Sequence, residues 1–146
     1  MMSIRRRARE VALHVFYQMD ISQGDAQEVL DLYWENFKPT EKVREFCQRL
    51  IEGVCRNRSE IDQLIEENSE NWTLKRMAVV DRNILRLATF ELLHCPDIPF
   101  KATLNEAIEL AKKFGADDSG AFINGILDKI HSFLTLSADE HQAVPR

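Results

Sequence analysis

Val79–Cys95, VVDRNILRLATFELLHC, decides the fold. At helical spacing Val80, Ile84, Leu87, Ala88 and Glu91 share one side, with Leu85 and Leu92 beside them and Phe90 partly round the back. Only Arg82, Arg86 and Thr89 are left as a polar stripe. A helix apolar over most of its circumference has to be covered from several directions, which predicts the central helix of an all-α domain. Glu91 is the anomaly on the apolar side. An unpaired carboxylate there is expensive, so it calls for hydrogen bonds, an Arg or solvent, and it reads as a structural acid rather than a catalytic one.

Working outward, the same periodicity gives about seven helices. Upstream, SIRRRAREVALHVFYQMD carries an apolar stripe of Ala8, Val11, Ala12, Val15, Phe16 and Met19. A turn at Ile21–Gly24 precedes a short helix from Asp25 or Ala26 to Phe37, whose Tyr33, Trp34 and Phe37 suit either core or interface. Pro39 ends it. Thr40 caps a long helix with Val43, Phe46, Cys47, Leu50, Ile51, Val54 and Cys55 at core spacing, and Gly53 within it suggests a close helix crossing. Ser59 with Asp62 has capping-box spacing ahead of Ile61, Leu64 and Ile65. That helix's polar side, Glu60, Asp62, Glu66, Glu67 and Glu70, is acidic, which suits solvent or a basic protein. The polar stretch Asn68–Thr73, with Trp72 pinning it, divides one domain of residues 1–136 into subdomains of about 1–70 and 71–136.

Downstream of the central helix, Pro96 and Pro99 bracket an ordered turn. Thr103 and Glu106 have capping-box spacing, although the helix could begin near Lys101. NEAIELAKKFG then stops at Gly115. Ser119 or Asp118 can cap the last helix, in which Gly125 again suggests close contact. The pattern weakens from Ser132, and residues 137–146 read as a flexible tail.

The 146 residues suit one domain, and 45% hydrophobic composition with five Gly and four Pro supplies a core with few breakers. No apolar run approaches the roughly 18 residues of a membrane span, and residues 1–9 lack the apolar segment of a secretory signal. Three cysteines without a CxxC pair fit a reducing compartment, so a cytoplasmic protein is expected, with Cys47 and Cys55 as core thiols. Net charge is −5, but its distribution is uneven. Residues 1–9 hold Arg5, Arg6, Arg7 and Arg9 and no acid, whereas the rest carries 15 basic and 24 acidic residues. The arginines fan around the start of a helix whose dipole they oppose, so some should extend from a frayed first turn as donors to an anion such as RNA; a solubilising tail is the alternative.

Catalytic motifs are missing. His14, His94, His131 and His141 are dispersed without partners at metal-ligand spacing, and no GxxxxGK, GxGxxG, GxSxG or CxxC occurs. Asp117 and Asp118 lie where helix caps are common. No cofactor, no metal and no enzymatic activity are expected; binding is the better class.

RRRARE at 5–10, FELL at 90–93, NEAIELAKKFG at 105–115 and FINGILDKI at 122–130 resemble the NusB family of bacterial transcription antitermination factors, in the family's order from about Ser3 to His131. The resemblance implies an all-helical fold in two halves, and a free-standing factor rather than the NusB-like domain of an RNA methyltransferase. It implies binding of single-stranded boxA RNA in ribosomal RNA leader transcripts, together with NusE, which is ribosomal protein S10. It further implies a complex with NusA, NusG and RNA polymerase. Carried over residue by residue, RNA contacts fall on Arg5, Arg6, Arg7 and Arg9, on Phe122 as a base-contacting aromatic, and near Lys101 and Asp118. The NusE side falls around Tyr17, Arg76 and Asp81. Phe122 has a second reading as a core residue at the helix start. Family members often have a basic residue just before this Phe; here Gly120 and Ala121 precede it, which shifts weight to the arginines or to NusE. Asn105, Glu106, Asn124, Gly125 and Asp128 read as architectural. A helical adapter that binds only protein is the competing class.

Overall fold

The structure is a computed structural model that describes residues 3–70 and 72–143. Over those residues it contains α1 (Ile4–Ser22), α2 (Ala26–Asn36), α3 (Glu41–Arg56), α4 (Arg58–Glu67), a 3₁₀ turn at Leu74–Arg76, α5 (Val79–His94), α6 (Phe100–Phe114) and α7 (Ser119–Ala143). The all-α expectation is met. α5 packs against α1, α3, α4, α6 and α7, and its Ile84, Leu85, Leu87, Ala88 and Phe90 are all buried. Where α3 crosses α5, a Cβ on Gly53 would lie 2.1 Å from Cζ of Phe90, so only glycine allows that approach.

The polar stripe of α5 does not face solvent. Arg86 and Thr89 are buried, and Arg86 reaches Asp62 of α4 through Nε (2.9 Å) and Asp20 of α1 through Nη1 (3.3 Å). Arg82 and Asn83 also donate to Asp20, at 3.0 and 2.9 Å. Charge paired across three helices can be buried where a lone charge cannot, and helical periodicity has no means of showing the partners. For the same reason the acidic side of α4 is not simply a solvated face: Asp62 serves Arg86 and Arg58, Glu66 accepts from the Leu74 N–H, Glu60 contacts His94 and Glu70 contacts Lys129.

Helix ends follow capping chemistry where a side chain has nothing better to bind. Thr40 caps α3 as expected, accepting from Val43 N at 3.5 Å, and Asp25, one of two expected first residues of α2, is its cap, accepting from Glu28 N at 3.2 Å. Two capping boxes fail. α4 starts at Arg58, before Ser59, because Asp62 is drawn to the arginines. α6 starts at Phe100 behind Pro99, which leaves Thr103 and Glu106 inside the helix, turned towards Glu91 and Arg6 respectively. α1 runs to Ser22 and ends on Gln23 at φ 57°, two residues past the expected start of the turn. A Cβ placed on Gly125 would meet no atom within 4 Å, so the close contact expected there is not made. Cys47 is buried and its thiol is pushed up to about 12 by burial, but Cys55 is exposed rather than core. α7 continues through Ala143, so the tail expected from 137 is helical as far as 143; 144–146 lie outside the described residues.

Candidate nucleic-acid interface

The arginine-rich start of α1 is helical from Ile4, with Ser3 Oγ accepting from Arg6 N at 3.1 Å. A capped turn with charged side chains held by acids replaces the frayed one expected. Arg5 donates to Asp97 Oδ2 at 3.2 Å, and Arg49 of α3 grips the same carboxylate at 3.0 Å. Arg6 Nε donates to both oxygens of Glu106, at 3.2 and 3.0 Å. Arg7 is exposed, and among the described residues it makes no ion pair. Arg9 differs from all three. It is only 4% exposed, and it forks onto Glu91 through Nε and Nη2, both at 2.8 Å. This corrects its assignment as an RNA contact, because a guanidinium sealed in the core cannot meet a phosphate. It also answers the anomaly of Glu91, whose Oε1 accepts a further bond from Thr103 Oγ1 at 2.9 Å.

These contacts form a ladder that runs outward from the core. Thr103 and Arg9 satisfy Glu91, Arg9 Nη1 lies 3.8 Å from Glu106, and Glu106 holds Arg6 at the surface. Side-chain exposure rises along it, from 2% at Glu91 and 5% at Arg9 to 17% at Glu106 and 46% at Arg6. Arg5, Arg6 and Arg7 therefore remain at the surface, and Lys101, in the first turn of α6, is exposed as well.

At the start of α7, Asp118 is exposed and its backbone carbonyl accepts from Phe122 N at 3.1 Å. Phe122 is half-buried. One edge packs on the core, and its ring meets Trp72 edge-on at 5.9 Å and 74°, where Trp72 is 49% exposed. Both readings of Phe122 thus have a physical basis, and an exposed aromatic partner lies beside it. Ser119 caps the loop rather than the helix, accepting from Ala116 N at 2.9 Å.

Tyr17 is exposed and lines a shallow cleft of about 260 Å³ with Leu13, His14, Val80 and Phe114. Burial lowers the His14 imidazole below its ordinary value, more than Glu10 opposes it. Arg76 is exposed in the 3₁₀ turn. Asp81 is 9% exposed, so it lies back from the surface on which a partner contact was expected, and among the described residues its Oδ1 has no hydrogen-bond partner. Burial raises its carboxyl above the usual range against the side chain of Ser119, and Asp118 adds to the rise.

Sequence reasoning missed Glu106, Asp97, Arg49 and Trp72 as neighbours of these residues. For Glu106 the available signal was a Thr and a Glu three apart, which capping chemistry explains equally well. Among the described residues no group of His, Cys, Asp or Glu is arranged to hold a metal, and no helix is long and apolar enough to cross a membrane.

Comparison with known proteins agrees with this architecture. A model of the NusB family matches residues 6–132. The chain is 54% identical over 141 residues to the transcription antitermination protein NusB of Geotalea uraniireducens (strain Rf4), covering 91% of this chain and 97% of that one. The solved structure of T. maritima NusB is 42% identical, with a TM-score of 0.83 over 90% of this chain and 93% of that chain. A chain in the crystal structure of antitermination factors NusB and NusE in complex with dsRNA is 29% identical, with a TM-score of 0.81 over 91% of this chain and 99% of that chain. Similarity of this extent defines a non-enzymatic, RNA-binding transcription regulator. The chain belongs to the NusB family of transcription antitermination factors.

Proposed function

We propose that this protein binds single-stranded boxA RNA of ribosomal RNA leader transcripts together with NusE (ribosomal protein S10), in the cytoplasm, as part of an antitermination complex with NusA, NusG and RNA polymerase. The observation that carries the proposal is the cluster of exposed arginines, Arg5, Arg6 and Arg7, at one end of a body that is otherwise acidic. Arginine forks match phosphate oxygens and fix a strand in place, while an aromatic reads an unpaired base by stacking. Arg5, Arg6 and Arg7 take the phosphates, with Lys101 adding charge. Phe122 takes a base beside Asp118, supported by Trp72 at its edge. NusE meets the side carrying Tyr17 and Arg76, with Asp81 buried behind it, and a basic ribosomal protein suits the acidic body.

Fluorescence anisotropy of a boxA RNA against a scrambled RNA at one salt concentration, with and without NusE, tests this. Preferential binding strengthened by NusE is the expected result. Equal weak binding to both RNAs, unchanged by NusE, would reject it in favour of an adapter that binds only protein. In the same assay, Phe122→Ala is expected to lose RNA affinity by about 1–3 kcal/mol, the range for a stacked base, while its melting temperature falls only moderately, as suits a half-buried side chain, and the variant stays folded at the assay temperature.

A further inference from the structure

Glu106 sits among the RNA-facing arginines, where simple electrostatics would make it an obstacle to phosphate. Its geometry suggests otherwise. Arg6 uses only Nε on Glu106, at 3.2 and 3.0 Å from the two carboxylate oxygens, and among the described residues neither Nη1 nor Nη2 of Arg6 has a hydrogen-bond partner. A guanidinium carries five donors in a rigid fork, and fixing Nε fixes the direction of the rest. Glu106 is in turn held: its side chain is 17% exposed, and Arg9 stands 3.8 Å away, locked by two 2.8 Å bonds to the buried Glu91. Within the ladder, Glu91 and Glu106 carry two negative charges and Arg9 one positive, so Arg6 completes the balance at the surface. The anchor therefore extends from the core to the surface.

We propose that Glu106 is a positioning residue for RNA, holding Arg6 by its Nε so that the two terminal nitrogens are presented, already oriented, to a backbone phosphate at the cleft that Arg6 and Glu10 of α1 line with Glu106, Glu109 and Lys113 of α6. This rests on the RNA-binding reading above and adds a residue that the sequence pattern assigns to capping. Glu106 touches no RNA itself. It acts by removing the ordering that a free arginine would otherwise undergo on binding. The charge of a carboxylate disfavours phosphate, so positioning and electrostatics predict opposite signs when it is removed.

The test uses the full chain and a boxA RNA in fluorescence anisotropy at fixed salt, with thermal melts confirming that each variant is folded at the assay temperature. Glu106→Ala is expected to bind RNA about fivefold more weakly, despite removing a negative charge. Glu106→Gln, whose amide oxygen still accepts from Nε, is expected to recover most of the affinity. In an Arg6→Ala background, Glu106→Ala is expected to have no further effect. Unchanged or tighter binding by Glu106→Ala would overturn the proposal, as would a loss that persists without Arg6, since that loss would be structural. If the parent protein binds no RNA, the RNA-binding reading fails and this inference fails with it; if the parent binds and Glu106→Ala binds equally, only this inference fails.

Discussion

Two charge clusters clamp α1 to α5, and they are built with opposite polarity. Near the start of α1 the base is on α1 and the acid on α5, Arg9 with Glu91; near its end the acid is on α1 and the bases are on α5, Asp20 with Arg82 and Arg86. Residue numbers rise along α1 as they fall along α5, so the helices run antiparallel and the two clusters fix their register from both ends. They differ in wetness and in outlet. Glu91 and Arg9 have side-chain exposures of 2% and 5%, whereas Asp20 and Asp62 keep 15% and 24%. The first cluster leads outward through Glu106 to Arg6, at the start of α1, whose side chain is 46% exposed; the second ends on Arg58, at the start of α4, whose side chain is 38% exposed and bound to Asp62. The same chemistry thus holds one end of the helix and arms the other.

The largest expected effect follows from breaking the drier cluster. Glu91→Leu strands a buried guanidinium and is expected to destabilise the fold by roughly 3–5 kcal/mol, measured by denaturant unfolding. Replacing both partners, Arg9→Met with Glu91→Leu, is expected to recover most of that loss, because an apolar pair of similar volume needs no hydrogen bonds. A double variant no better than the single one would mean that the pair itself, rather than the penalty of an unpaired charge, carries the stability. Breaking the wetter cluster is the matched experiment. Arg86→Met leaves Asp20 and Asp62 able to rehydrate and keeps Arg82 and Arg58 beside them, so a smaller loss of about 2 kcal/mol is expected. A loss equal to that of Glu91→Leu would erase the distinction between the clusters.

How much of this was legible in the sequence depends on how far apart the partners lie. The central helix, the glycine at its crossing with α3 and the cap of α3 rest on residues a turn or two apart, and local spacing finds them. Glu91 was recognisable as a carboxylate in need of a partner, but its partners are 82 and 12 residues away, and spacing cannot choose among the 19 arginines and lysines of the chain. That distance explains every error of the same type. Arg86, Asp62, Thr103 and Glu106 each have a sound local reading, as a solvated stripe or a capping box, and each is overruled by a distant charge that binds more strongly. Arg9 shows the same limit at the interface: four arginines in five positions look alike until the fold buries one of them.

Proton titration sharpens the contrast further. Burial alone would raise the carboxyl of Asp20, but the bonds from Asn83 and Arg82 and the charge of Arg86 outweigh it and hold the group below its ordinary value. A folded pKa below the unfolded one means stability that is present above the unfolded value, near 4, and is lost as pH falls through the folded one. Asp20→Asn should therefore lower the melting temperature at pH 7, with the deficit narrowing towards pH 3. Asp81 has the reverse sign. Its raised folded pKa makes the ionised group a liability above that value, a liability that disappears below the unfolded one. Asp81→Asn should melt higher than the parent at pH 7 and with it at pH 3. Parallel pH profiles for the two variants would contradict the assignment of one carboxylate as well paired and the other as poorly paired.

The smallest expected effect concerns the acid that lies outside both clusters. Asp97 joins Arg5 to Arg49, but its side chain is 47% exposed, so solvent and salt screen what the geometry suggests. Asp97→Asn is expected to leave the melting temperature unchanged at ordinary ionic strength. Its effect on RNA should be equally small and opposite in sign to that of Glu106→Ala: affinity rises by no more than about threefold, because this exposed carboxylate competes with phosphate and takes up a terminal nitrogen of Arg5 instead of its Nε. Anisotropy at two salt concentrations checks both points, since a purely electrostatic gain shrinks as salt rises. If Asp97→Asn instead weakened RNA binding as Glu106→Ala is expected to, an acid need not be anchored to the core to position an arginine, and the outlet of the drier cluster would have no special claim on Arg6.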